Sequence, residues 1–183
     1  RNAPPVLAID HASHVFWLGV GVSTLAINTA TMVLEHRRGI PPEHIGWALL
    51  PMDFSRLEQP SSLDVRTAFN IPLGAPLLLS AGSPFKYWPI EGTQLDSLLT
   101  PVLETNPDVH LLIVGVAQAP YWQTFLTRFG HRVHLSGYLP EPDLVACYHA
   151  CDVYLDSVPL SSPTTVLEAA ALGKPVVRYV PAD

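Results

Sequence analysis

The chain has 183 residues, 48% hydrophobic and only 14% charged, a balance that excludes a disordered tail and calls for a large buried core. Sixteen acidic residues against ten basic ones leave a net charge of -6. A phosphate backbone is repelled by such a chain, and with no Lys/Arg run nucleic acid is not an expected partner. The length accommodates one α/β domain and part of another, not two complete ones.

The apolar run from Val15 to Leu25 is broken by Gly19, Gly21, Ser23 and Thr24 and falls short of a bilayer span, so no transmembrane segment is expected. The opening Arg1-Asn2-Ala3-Pro4-Pro5 lacks a starting Met and a signal-peptide layout. It reads as part of a longer protein, cytoplasmic by default, with a membrane-peripheral location open to the full-length form.

In chain order, residues 6–10 read as a strand, 23–38 as a helix stopped by Gly39, and 48–52 as a short extended piece before the polar stretch 53–62. His11 and His14 precede an apolar segment and are either structural or turned toward a ligand. From about Leu73 short apolar runs alternate with helical patterns. Strands are expected at 76–81, 109–115, 133–136, 153–156 and 175–180. Helices are expected at 92–104, carrying Leu95, Leu98, Leu99, Val102 and Leu103, at 119–129 with Trp122, Phe125 and Leu126, and at 140–149 with Leu144, Val145 and Tyr148. Right-handed crossovers turn this order into a Rossmann-like, doubly wound parallel sheet. Residues 57–183 therefore read as that α/β domain, incomplete at its C-terminus. Residues 1–56 read as the end of another domain and its crossing connection. Cys147 and Cys151, with His149 between them, have neither disulfide nor zinc spacing and read as packed helical thiols.

The segment from Asp156 to Val177 is the richest in chemistry. Ser162 stands at an N-cap, Pro163 at the first helical position, and Gly173 ends a helix over 163–172. Its first turn offers free N–H groups and the hydroxyls of Thr164 and Thr165 at the carboxyl end of a strand, a setting for a phosphate or for ordinary capping. Glu168 is the one charged residue of that helix and lies one turn below Thr164. A buried carboxylate needs a partner: ribose hydroxyls, a basic residue, or solvent reached between elements. Lys86, in the loop 82–89, is placed either as a point charge on a diphosphate or as a solvated loop lysine. No G-x-G-x-x-G pattern follows the 111–114 strand, no Walker lysine motif occurs, and no Asp-x-Asp pair is visible, so neither a dinucleotide cofactor nor a metal is expected.

Phe85-Lys86, then Val109-His-Leu-Leu-Ile-Val-Gly115, then Val133-His-Leu-Ser-Gly-Tyr-Leu139, then Ala150-Cys-Asp-Val-Tyr-Leu-Asp156, then Pro163-Thr-Thr-Val-Leu-Glu-Ala-Ala-Ala-Leu-Gly-Lys-Pro-Val-Val177 together resemble the C-terminal, donor-binding half of a GT-B-fold glycosyltransferase. The likeness covers about residues 73–180. It is strongest to O-GlcNAc-transferase-like and bacterial protein-glycosylating enzymes, with family 4 glycosyltransferases as neighbour. The resemblance implies a UDP-sugar donor whose diphosphate is held by Thr164 and Thr165 and neutralised by Lys86. It gives Glu168 to the ribose, and to the base the backbone around Gly137, Tyr138 and Leu139. Ser162 completes the phosphate loop. Leu160 replaces the first glutamate of the family 4 pair, and Pro163 replaces a glycine before the threonines. The partners implied are a nucleotide sugar and a carbohydrate, lipid-linked sugar or protein acceptor, and the isolated chain is expected to be inactive. Other readings are a UDP-sugar epimerase or phosphorylase of the same fold, or a non-catalytic flavodoxin-like module.

Overall fold

A strand buried on both faces reads as a near-continuous apolar run, and His110–Val114, apolar from Leu111 onward, is buried at every position. In the computed structural model, which describes residues 4–10, 22–28, 40–48, 51–90, 92–118 and 120–179, this strand is β5. The chain divides into two units, 1–52 and 53–183.

Among the described residues the first unit holds three parallel strands, β1 (Leu7–Asp10), β2 (Leu25–Asn28) and β3 (Ile45–Trp47), in the order β1-β2-β3. Residues 25–28 were expected within a helix over 23–38. They form the middle strand instead, because a short apolar run is compatible with either period and pairing on both sides decides it. Residues 29–39 of that expected helix, like His11 and His14, lie outside the described residues. The extended piece expected at 48–52 falls earlier, in β3, where a side chain at Gly46 would meet Leu25 at 3.5 Å.

The second unit is a five-stranded parallel sheet of order β6-β5-β4-β7-β8, with β4 Leu77–Ala81, β6 Val133–Gly137, β7 Val153–Leu155 and β8 Val176–Val177. Side chains alternate between its faces. Leu111 and Ile113 join Leu95, Leu99 and Leu103 of α2 (Leu95–Thr105) and Phe125 and Phe129 of α3 (Gln123–Phe129) on one side. Leu77, Leu79 and Leu112 join Val65 of α1 (Val65–Ala68), Cys147 and Tyr148 of α4 (Glu141–Ala150), and Ala169 of α5 (Pro163–Ala171) on the other. Helices thus cover both faces, as expected for a doubly wound sheet. The crossovers change side between β4 and β7, the place where open α/β sheets hold ligands beyond their strand ends.

Both cysteines are free and buried, and burial pushes Cys147 up to about 12 and Cys151 up to about 11. At the amino end of the sheet His110 Nδ1 and His134 Nε2 lie 3.0 Å apart. Burial holds both imidazoles below the usual histidine value, with the Arg132 guanidinium adding to the effect on His110 and the His110 charge to that on His134. The unfolded chain takes up protons near pH 6.5 while the folded pair resists them. Stability is therefore expected to fall as pH drops below about 6.5 and to go on falling until the folded pair protonates. In His134→Gln the urea midpoint should change less between about pH 7 and 5 than in the parent chain. Equal slopes in both proteins would count against the pair.

Candidate functional site

The loops that leave β4 and β7 meet at the switch point of the second unit. After β4, Gly82 donates its N–H to the Val114 carbonyl at 3.1 Å, and a short 3-10 turn, Pro84–Tyr87, carries Lys86. A Cβ on Gly82 would lie 2.7 Å from Ser162 Oγ and 3.5 Å from Lys86 Cδ, so the two loops approach closely only because this residue has no side chain. Gly115, just past β5, has φ +97°, and a Cβ there would stand 2.2 Å from the Gly82 carbonyl oxygen.

Asp156, 3% exposed, organises the loop after β7. Its Oδ1 accepts from the backbone N–H groups of Ser157 (2.9 Å) and Ser162 (2.8 Å). Its Oδ2 accepts from Ser161 Oγ (2.6 Å) and pairs with Arg178 Nε (3.1 Å). Four donors fill the acceptor positions of a carboxylate. The chain that wraps it contains a cis Val158-Pro159 peptide and delivers Ser161 and Ser162 to the start of α5. Lys86 Nζ donates to the Ser161 carbonyl at 2.7 Å. Burial draws the Lys86 ammonium below the usual lysine range, and the Asp156 carboxylate draws it back up.

Ser162 holds the N-cap position, but its side chain does not cap the helix. The hydroxyl is buried and paired with Ser157 Oγ at 2.8 Å, because Asp156 fixes the loop from within and turns the serine inward. Among the described residues, therefore, no side chain caps the first turn of α5. The two threonines separate. Thr165 Oγ1 lies 2.5 Å from Tyr154 OH, 2.9 Å from the Ser162 carbonyl and 3.3 Å from the Ala81 carbonyl, which turns it into the fold. Thr164 is exposed, with no hydrogen bond from its hydroxyl among the described residues.

Glu168 is 6% exposed and finds a basic partner. Its Oε1 accepts from Arg56 Nη2, and its Oε2 accepts from Tyr148 OH at 2.8 Å. Arg56 also reaches Glu141 Oε1 at 2.9 Å. At the end of β6 the Gly137 N–H is bound to the Val116 carbonyl (2.9 Å) and its carbonyl accepts from Gly115 N–H (2.7 Å). Gly137 thus anchors the neighbouring loop, whereas Tyr138 is 86% exposed and Leu139 packs partly into the core.

The structure accordingly brings Lys86, Ser162, Thr164 and Thr165 to one strand edge, puts Glu168 one turn further along α5, and sets Gly137, Tyr138 and Leu139 at the end of β6. Arg56, Tyr148 and Arg178 were not singled out from sequence for a site. The only signal for Arg56 was the requirement that a buried Glu168 have a partner. Among the described residues no three His, Cys, Asp or Glu side chains gather as a metal-binding group. The grooves of about 760 and 640 Å³ lie elsewhere, beside the 57–66 segment and α4, and around residues 70–76 and His131.

Residues 93–179 match the family model described as Glycosyl transferases group 1. No curated protein sequence matches. The chain is similar to the solved structure of Anabaena HepE in complex with UDP (TM-score 0.66, 19% identity, 95% of this chain and 53% of that one). It is also similar to a sucrose-phosphate synthase from Thermosynechococcus elongatus (TM-score 0.63, 19% identity, 94% and 49%). A Thermobaculum terrenum O-GlcNAc transferase mutant matches with TM-score 0.52 and 23% identity, over 85% of this chain and 30% of that one. The resemblance read from the motifs holds at the level of the fold: the chain has the Rossmann-like α/β fold of the GT-B glycosyltransferases to which it is similar, and the family match falls on residues 93–179. It spans about half the length of the first two of these structures.

Gly115→Ala tests the closeness of the strand ends. A side chain at positive φ that also strikes the Gly82 carbonyl should cost about 2–4 kcal/mol, read as a lower urea midpoint with an unchanged slope. A midpoint unchanged from the parent would mean that the loops are not packed this closely.

Proposed function

We propose that residues 57–183 bind a nucleotide sugar, of the uridine diphosphate type, as the donor-binding domain of a hexose-transferring glycosyltransferase. Residues 1–56 are then the end of the acceptor domain and the crossing. The observation that carries this reading is the convergence of Lys86 with the uncapped first turn of α5 at the switch point. A diphosphate there meets a point charge, the free N–H groups of the first turn and the exposed Thr164 hydroxyl. Thr165 contributes its backbone, and Ser162 shapes the loop. The similar HepE structures, which are complexes with UDP or UDP-glucose, support the choice of nucleotide.

In the reaction, the bond between the anomeric carbon and the diphosphate oxygen breaks as an acceptor hydroxyl or amide attacks that carbon, forming the glycosidic bond and giving up its proton, with the nucleoside diphosphate as leaving group. The charge that develops on the leaving diphosphate is opposed by the Lys86 ammonium and the helix N-terminus. On this reading a divalent ion is not needed for that task. Glu168 accepts from the ribose hydroxyls, and Tyr138 with the Leu139 backbone lies against the base. The acceptor is a carbohydrate, a lipid-linked sugar or a protein, and the chain alone binds donor without turning it over.

Calorimetric titration with UDP, GDP and ADP in the absence of metal tests the reading. UDP should bind, and Lys86→Ala should weaken it by about tenfold or more, the range of a hydrogen bond to a charged group. A folded chain that binds none of the three sinks the proposal, as does a Lys86→Ala variant that binds UDP as tightly as the parent.

A further inference from the structure

A carboxylate carries about four acceptor positions on its two oxygens. At Glu168 the Arg56 guanidinium occupies one position on Oε1, and the Tyr148 hydroxyl occupies one on Oε2 at 2.8 Å. Burial pushes the Tyr148 hydroxyl far above the usual tyrosine range, so it stays protonated and remains a donor. Gripped at both oxygens, the carboxylate cannot rotate without breaking one of these bonds. Among the described residues no other donor reaches either oxygen, which leaves on each one position of the kind that two adjacent hydroxyls of a cis-diol satisfy.

Arg56 is braced in turn. Its Nη1 meets Glu141 Oε1 at 2.9 Å in the first turn of α4, and its Nη2 meets Glu168 in α5. One planar fork thus spans two helices, a geometry that an ammonium does not reproduce.

We infer that Arg56 is a positioning residue for donor recognition: without touching the ligand, it fixes the plane of the Glu168 carboxylate so that both oxygens meet the ribose hydroxyls together. The inference rests on the donor-site reading above and adds to it a residue 112 positions away in sequence from the group it orients.

The test compares UDP with 2′,3′-dideoxy-UDP on the 183-residue chain and on Arg56→Gln and Arg56→Lys. The parent chain should prefer UDP by about tenfold or more, since the dideoxy ligand leaves the carboxylate unpaired. Arg56→Gln should reduce that preference to about twofold or less through weaker UDP binding, with Arg56→Lys between the two. A variant that is partly unfolded lowers both apparent affinities by the same factor, so the ratio isolates the ribose contact from folding. Arg56→Gln with the parent's preference, or a larger one, overturns the positioning role while the donor site stands. Equal binding of the two ligands by the parent chain removes the ribose role of Glu168, and no binding of either removes the donor site; the inference falls with each.

Discussion

Asp156 is a nearly inaccessible carboxylate, and a charge in that position persists only where donors surround it. Two backbone N–H groups, one serine hydroxyl and one guanidinium meet that requirement, and all of them come from the loop after β7 or from the chain just past β8. The loop consequently has one course. Ser161 turns its carbonyl toward Lys86, Ser162 turns its hydroxyl inward, and α5 begins with its first turn open. Placing a lysine beside a helix N-terminus is thus an outcome of satisfying a carboxylate that itself has no acceptor position left for a ligand.

Glu168 repeats the device on the body of the same helix. Arg178 serves the carboxylate before α5, and Arg56 serves the one within it. The helix is held from both sides by charged groups whose partners lie on other elements, while Ala169 packs beneath it against the sheet. Such pairs add little net stability over well-packed apolar groups, but losing one partner leaves a buried charge exposed to its full desolvation cost. What they supply is a fixed orientation, and orientation is what a site made of backbone N–H groups and carboxylate lone pairs depends on.

The sequence made the second unit legible because its strands and helices each announce themselves locally. Leu111 to Val114 is apolar because β5 is buried on both faces, and Leu95, Leu99 and Leu103 recur every fourth residue because α2 lies on the sheet. Where the outcome depends on distant partners, local reading fails. Leu25–Asn28 becomes a strand through β1 and β3 on either side. Ser162 has an N-cap's composition, yet Asp156, six residues earlier, fixes the loop and turns its hydroxyl elsewhere. Arg56 has no local mark at all, since its partner is at position 168.

The threonine pair shows how closely structure and ligand chemistry can be interleaved. Successive residues of a helix point about 100° apart, so adjacent side chains cannot share one task. Thr165 faces the end of β4 and spends its hydroxyl on Tyr154 and the carbonyls of Ser162 and Ala81, tying α5 to the strand whose loop carries Lys86. Thr164 faces outward with its hydroxyl open. On the donor-site reading the first threonine meets the ligand and the second holds the distance between helix and lysine. Removing the Thr165 hydroxyl then acts on the diphosphate through the spacing of two elements, whereas removing the Thr164 hydroxyl acts on it directly and leaves the spacing alone.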